Sequence, residues 1–298
     1  MNNSILIAEV VNKVLRNRAG MEIIEPEFRG VGALALKAAF MMPPRVREAL
    51  FFGTSIISIP LQKALVSALG GSFTAVTKFT DGPMSGLSFS CLTAEKYFFL
   101  GSHVESDFQR RLREFIRPGD VVYDIGGHIG YMCLIFSVMA GPEGRVFTFE
   151  PSPTNFPRLT ANLNANARLN VTPINAAVSC REGNATFEEG GSMSTVVLDA
   201  HANNNESLKV RTIRVDDFVY RDSHPPPGFI KLDVEGHAGP AVEGMQRVLR
   251  LRRTRIICEL HNRSEEEQFA AALSPVGYHV ISIDRYGRFP RRVAALPD

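Results

Sequence analysis

From Ser106 to Ile283 short apolar runs alternate with helix-spaced patterns, and this alternation restricts the fold more than any other feature of the chain. Strand-like runs fall at Val121–Ile125, Arg145–Phe149, Val171–Val178, Phe229–Val234, Ile256–Leu260 and His279–Ile283. Helix patterns at Ser106–Ile116, Tyr131–Met139, Thr154–Ala167, Ala241–Leu251 and Ser264–Leu273 flank and separate them. Strands and helices alternating at this pace predict a parallel sheet covered by helices on both faces. Thr186–Glu188, Thr195–Leu198 and Val210–Val215 suit short strands or a hairpin insertion, and Pro225-Pro226-Pro227 marks a loop.

The preceding residues have another texture. Ile5–Leu15, Val31–Met42, Pro44–Phe52 and Leu61–Leu69 carry helical spacing, with Pro43-Pro44 and Gly70-Gly71 as stops. Phe73–Phe79, Leu87–Cys91 and Tyr97–Leu100 read as short strands separated by turns such as Asp81-Gly82-Pro83. The expected organisation is therefore an N-terminal α+β extension over residues 1–100 and a larger α/β domain over 101–298.

Composition removes several classes. With 45% hydrophobic residues and a net charge of +2, the chain is no disordered polymer and has no field for non-specific nucleic-acid binding. Cys91, Cys133, Cys180 and Cys258 form no C-x-x-C pair, which argues against a disulfide framework or zinc knuckle and for a reducing compartment. Cys133 and Cys258 sit in apolar runs and are expected as buried thiols. Apolar stretches such as Gly32–Met42 and Tyr131–Ala140 fall short of the ~20 residues a membrane span requires. The first residues lack a basic start and carry Glu9, so a cytoplasmic protein is expected.

The most informative segment is Tyr123-Asp124-Ile125-Gly126-Gly127-His128-Ile129-Gly130, which follows a strand and opens a helix. Glycines there let the backbone approach a ligand, although a tight turn without a ligand also uses glycine. The next strand ends in Phe149-Glu150-Pro151, with Glu150 about 20 residues beyond the glycines, where a doubly wound fold sets an acid against ribose hydroxyls. The turn lacks the G-x-G-x-x-G spacing of a nicotinamide enzyme, and Asp124 before it suits a ligand with an amine or cation.

Five pieces in order then resemble the FkbM family of S-adenosylmethionine-dependent methyltransferases. They are Arg117-Pro118-Gly119-Asp120 leading into Asp124–Gly130, then Phe149-Glu150-Pro151, then Asn170-Val171 through Ala177-Val178-Ser179. Ile230-Lys231-Leu232-Asp233-Val234-Glu235-Gly236 and Ile257-Cys258-Glu259-Leu260-His261 complete the set. The resemblance implies a Rossmann-like class I methyltransferase fold, with a mostly parallel seven-stranded sheet and an antiparallel edge strand. It also implies S-adenosylmethionine as cofactor and O-methylation of a sugar, glycan or secondary-metabolite hydroxyl. On that reading Asp124, Gly126, Gly127, His128 and Gly130 cradle the methionine end, Glu150 beside Pro151 takes the ribose hydroxyls, and Ala176 and Ala177 lie near adenine. The chain departs from the family pattern at His128, where asparagine is usual, and at Ala238, where a further acid is usual.

The ligand crevice of an open α/β sheet lies beyond the carboxyl ends of its strands. Two strands deliver polar groups there: Lys231, Asp233 and Glu235 from one, Glu259, His261 and Asn262 from the other. Methyl transfer to a hydroxyl needs alignment and removal of a proton. His261 is expected as the base titrating near neutrality, with Asp233 or Glu235 as alternates and Lys231 orienting the hydroxyl or lowering its pKa. Asp233 also serves the cofactor side. The bland alternative is an ion-pair network of Lys231 with Asp233 or Glu259. Asp233 with Glu259, His261 or Asn262 offers a less standard alternative, an oxygen-rich Mg²⁺ site holding a deprotonated hydroxyl, but the FkbM resemblance does not call for one and no metal ligand set is expected. The expected partner is a small-molecule or glycan acceptor, with no nucleic acid, and residues 1–100 are expected to encode either substrate choice or self-association. The competing functions are a catalytically silent cofactor-binding scaffold and a nicotinamide-dependent oxidoreductase.

Overall fold

The computed structural model describes residues 21–25, 41–43, 46, 74–92, 94–95, 97, 100–166, 169–188, 195–197, 208–284 and 288–298. The chain divides into two compact units, Met1–Arg111 with Asn164–Ala167, and Leu112–Leu163 with Arg168–Asp298. In the first, β1 (Met21–Glu25), β2 (Thr74–Phe79) and β3 (Ser88–Leu92) form an antiparallel sheet in that order. β2 and β3 fall where the apolar runs place them, while β1 was not anticipated. Tyr97 and Leu100, expected in a strand, are helical. The helices expected at Ile5–Leu15, Pro44–Phe52 and Leu61–Leu69, and nearly all of Val31–Met42, lie outside the described residues.

The second unit is built on β4 (Val121–Ile125), β5 (Arg145–Phe149) and β6 (Val171–Ile174), with β11 (Phe229–Leu232), β12 (Arg255–Leu260), β13 (Tyr278–Ser282) and β14 (Arg291–Pro297). The order is β13-β14-β12-β11-β4-β5-β6. All neighbours from β12 to β6 are parallel. β14 runs antiparallel to both β12 and β13, so the antiparallel strand lies one place in from the edge rather than at it. The mostly parallel seven-stranded Rossmann-like sheet is thus present.

The pleat sorts side chains to two faces. Tyr123, Phe147, Phe149, Ile230, Leu232, Cys258 and Leu260 enter one large core with Phe218 from α4 (Val215–Tyr220), Val242 from α5 (Ala238–Glu243), Val248 from α6 (Gln246–Leu249) and Phe269 from α7 (Arg263–Leu273). Helices α1 (Ser106–Phe115), α2 (Tyr131–Ala140) and α3 (Asn155–Asn164) precede these in the chain. On the opposite face Phe136 of α2 meets Phe229 edge-on, with ring centroids 5.9 Å apart. Cys133 and Cys258 are buried free thiols, and burial pushes both far above the ordinary thiol range.

Two sequence expectations change for local reasons. Val171–Val178 is not one strand: β7 (Ala177–Val178) leaves the large sheet and pairs with β10 (Leu208–Ile213), joined by β8 (Gly183–Glu188) and β9 (Thr195–Val197) in the order β7-β10-β8-β9. Ala241–Leu251 is not one helix: it breaks between α5 and α6 at Gly244. A Cβ on Gly244 would lie 2.0 Å from the Ser179 carbonyl oxygen, and the Asp216 carboxylate accepts the first α6 amides, from Arg247 and Val248. No helix among the described residues is long and apolar enough to cross a membrane.

Candidate active site

Because the sheet is in register, residues two apart on neighbouring strands build a row across its carboxyl end. Lys231 of β11 pairs in register with Asp124 of β4 and Ile257 of β12, and Glu259 of β12 pairs with Arg292 of β14. The Lys231 ammonium lies 3.0 Å from Asp233 Oδ2 and 3.9 Å from Asp124 Oδ1, and donates to the Gly126 carbonyl at 3.2 Å. His261 Nε2 lies 3.3 Å from Glu235, 3.7 Å from Asp233 and 4.0 Å from Glu259. Arg292 Nε donates to the Glu259 carboxylate at 2.8 Å. Acids and bases therefore alternate across four strands, and the expected residues Lys231, Asp233, Glu235 and His261 come together at one place.

The glycine turn packs directly against this group. A Cβ on Gly126 would sit 1.9 Å from the Asp233 carbonyl oxygen, and one on Gly127 would sit 2.1 Å from Thr148 Oγ1. These glycines are required by neighbouring strand ends, which lock the turn beside Asp233. Gly126, His128 and Gly130 have positive φ (89°, 50° and 92°). The His128 amide donates to Glu150 Oε2 at 2.7 Å and the Ser152 amide to Oε1 at 2.9 Å, tying the turn to the end of β5 beside Pro151.

Asp124 and Glu150 are buried anions with too little positive charge around them. Asp124 accepts from Thr148 Oγ1 through Oδ2, but its buried Oδ1 accepts no hydrogen bond. Burial pushes Asp124 up to about 6, against the pull of Lys231 and the Thr148 bond. It pushes Glu150 up to about 7, against its two amide bonds. Such a pair at a strand-to-helix turn has the electrostatics of a site that takes a cationic ligand. Ala176 lies in the main core and Ala177 packs with Ala185, Phe187 and Val210. At that bend the exposed Asn175 donates to the Glu150 carbonyl at 2.9 Å.

On the acceptor side the electrostatics differ from the expectation for His261. Burial would lower its pKa, but the hydrogen bond to Glu265 and the charges of Glu235 and Asp233 outweigh it and raise the value to about 9. At neutral pH His261 is an imidazolium with no lone pair for a proton. Glu235 is pushed up to about 7 by burial, partly offset by His261 and reinforced by Asp233 and Glu259. Lys231, despite burial, is held above the ordinary lysine range by Asp233 and Asp124. With its side chain only 9% exposed, the ammonium is committed to the turn and to Asp233. Asp233, Glu259 and His261 bring one donor atom each within 4.8 Å, yet the carboxylates carry Lys231 and Arg292 as protein cations.

Three residues of the centre were missed from sequence. Thr148 and Arg292 lie across the sheet from the groups they contact, which no local spacing reveals. Glu265 had a signal: Asn262-Arg263-Ser264-Glu265 is a helix-start pattern, and the Asn262 side chain accepts from the Glu265 amide at 2.9 Å.

A family model described as the methyltransferase FkbM domain matches residues 124–286. The hexuronic acid methyltransferase AglP of Haloferax volcanii is 32% identical over 171 residues, covering 57% of this chain and 68% of AglP. The 31-O-demethyl-FK506 methyltransferase FkbM of Streptomyces tacrolimicus is 47% identical over 47 residues, 16% of this chain and 18% of that protein. A crystal structure of methyltransferase FkbM from Methylobacillus flagellatus aligns with 67% of this chain and 52% of its own, at 16% identity and a TM-score of 0.43.

Proposed function

The chain belongs to the FkbM family of S-adenosylmethionine-dependent methyltransferases, and we propose that it moves the methyl group to a hydroxyl oxygen of a sugar, glycan or secondary metabolite. The observation that carries this reading is the packing of Asp233, and through it Glu235 and His261, against the Gly126 turn. S-adenosylmethionine brings an ammonium and a sulfonium, which suits the orphaned Asp124 oxygen and the two carboxylates held above their ordinary range. Asp124 would hold the ammonium end and Glu150 the ribose hydroxyls, with free lone pairs left on each Glu150 oxygen. Bound there, the cofactor supplies an electrophilic methyl group.

The protein's part is positioning and proton handling. Glu235 would accept the hydroxyl proton of the acceptor, whose oxygen takes the methyl group as the sulfonium gives up its carbon–sulfur bond and leaves as S-adenosylhomocysteine. His261, as imidazolium, steadies Glu235 and the acceptor oxygen beside it. Lys231 acts through others, fastening the cofactor turn to Asp233. AglP is named for a hexuronic acid, which makes uronic acid-bearing glycans the first acceptors to try.

The kcat/KM profile of the protein on such an acceptor is expected to be bell-shaped. Its acid limb lies near 7, where Glu235 ionises, and its alkaline limb near 9, where His261 loses its proton. Glu235→Gln should lower turnover by ~10²-fold or more with S-adenosylhomocysteine affinity retained. Unchanged turnover would remove Glu235 from the reaction. The charge on His261 also favours a second reading, transfer to a uronate carboxylate, which has no proton to remove. A methyl group stable to mild base identifies the ether, and one released by base identifies the ester.

A further inference from the structure

Glu265 reaches no reacting atom, yet it binds both halves of the acceptor side. It stands in the first turn of α7 and is 2% exposed. Its Oε1 accepts the amides of Gly236 (2.9 Å) and Ala238 (3.3 Å) in the loop after β11. Its Oε2 accepts the His261 amide (2.8 Å) and faces the ring nitrogen Nδ1 at 3.3 Å. One carboxylate thus joins three backbone amides and an imidazole from two neighbouring strand ends.

The loop it holds is strained where the chemistry is placed. Glu235 has φ 39°, a left-handed conformation that a residue with a side chain adopts only at a cost in backbone strain. Such a conformation persists only where the surroundings fix it, and the amides that follow, Gly236 and Ala238, are the ones Glu265 takes. Burial works against a charge on Glu265, but its bonds from His261 and Ala238 hold it below the usual carboxylate range.

We propose that Glu265 is the positioning residue of this centre, a single buried carboxylate that fixes the strained Glu235 backbone and the His261 ring relative to each other. The inference rests on the roles given above to Glu235 and His261. The groups facing His261 are Glu265 from α7, Asp233 and Glu235 from the loop after β11, and Glu259 from β12. Behind them stand Lys231 on Asp233 and Arg292 on Glu259. Of the four carboxylates, Glu265 alone faces Nδ1, so it orients the ring and leaves Nε2 toward the acceptor side. A glutamine at this position keeps one oxygen for Gly236 and Ala238 but turns an NH₂ toward the His261 donors. It therefore breaks the histidine half of the clamp and spares the loop half.

The test is the ring titration of His261 by NMR, in the full chain with S-adenosylhomocysteine bound, its signal identified by its loss in His261→Gln. The wild-type ring is expected to titrate near 9, and Glu265→Gln to bring it down by about one pH unit or more, with S-adenosylhomocysteine affinity within about 3-fold. Turnover should fall about 10- to 100-fold as the geometry loosens. A Glu265→Gln ring that titrates with the wild type would overturn the proposal, leaving Glu265 a helix-start residue only. A wild-type ring that titrates near the ordinary 6.5 would instead remove the imidazolium role assigned above. Should Glu265→Gln not fold, Glu265→Asp withdraws the charge by one methylene, and the same lowering is expected and the same constancy refutes.

Discussion

Replacing Asp124 with asparagine should make the ligand-free protein more stable and a poorer binder of its cofactor. Asp124 is fully buried, and burial raises its pKa from 3.8 to about 6 despite Lys231 and Thr148. A folded-state value above the unfolded one means that the folded chain keeps a proton the unfolded chain has released. Stability from this group is therefore intact below pH 3.8, falls as pH rises to about 6, and stays at its lowest above that. The gap corresponds to about 3 kcal/mol of destabilisation at pH 8. Asparagine has the same shape, can accept from Lys231 through its oxygen, and can donate to Thr148 Oγ1. Urea denaturation of ligand-free Asp124→Asn at pH 8 should show a gain approaching ~3 kcal/mol, shrinking toward zero near pH 4. Calorimetry with S-adenosylhomocysteine should show binding weakened by about 10- to 100-fold, the scale of one lost charge-assisted hydrogen bond. A variant less stable than wild type at pH 8, or a difference independent of pH, would refute the reasoning.

Gly126→Ala should weaken S-adenosylhomocysteine binding at least ~10-fold and lower Tm, since its Cβ meets a backbone oxygen that cannot step aside. Gly236→Ala is the control: it has a positive φ of 87° but nothing within 4 Å of a Cβ, so thermal melts should show only ~1–2 kcal/mol of strain. Equal losses in the two would mean that backbone conformation, not the approach of Asp233, makes Gly126 necessary. Lys231→Met leaves Asp124 and Asp233 without their shared cation and should cost ~3–5 kcal/mol in urea denaturation at pH 8. Adding Asp124→Asn should recover part of that loss, and no recovery would exclude Asp124 as the stranded charge.

The sheet was legible where both faces of a strand are buried. β4 and β5 fall at their expected bounds because an apolar run between turn residues has no other solution in an α/β chain. β14 was missed because it opens on Arg291-Arg292, ends in proline and fills its centre with Val293-Ala294-Ala295, a weak strand former. Helix α4 was missed because its first residue, Val215, closes the apolar run Val210–Val215 that suits a strand, while Asp216 is spent on the amides of α6. The convergence of Lys231, Asp233, Glu235 and His261 was expected from the crevice at the carboxyl ends of the strands, although β11 ends at Leu232 and Asp233 and Glu235 stand in the loop beyond it. What periodicity could not give is the charge state of His261. That depends on Glu265, brought alongside by a hydrogen bond from the residue's own backbone, and on Glu235 and Asp233 from the loop after β11.

The alternating row across β4, β11, β12 and β14 also bears on how the chain finds its sheet. A slip of β11 by one residue would turn Ile230 or Leu232 toward Asp124 and drive Lys231 into the apolar layer beneath Phe218 and Val242. A lysine stranded there, and the Asp124 carboxylate left behind, would cost several kcal/mol, far more than the exchange of one aliphatic contact for another. Parallel strands rich in valine, isoleucine and leucine have little else to tell one alignment from the next. The charges at the strand ends act as a vernier for the whole sheet, rejecting misaligned pairings before any methyl group is moved.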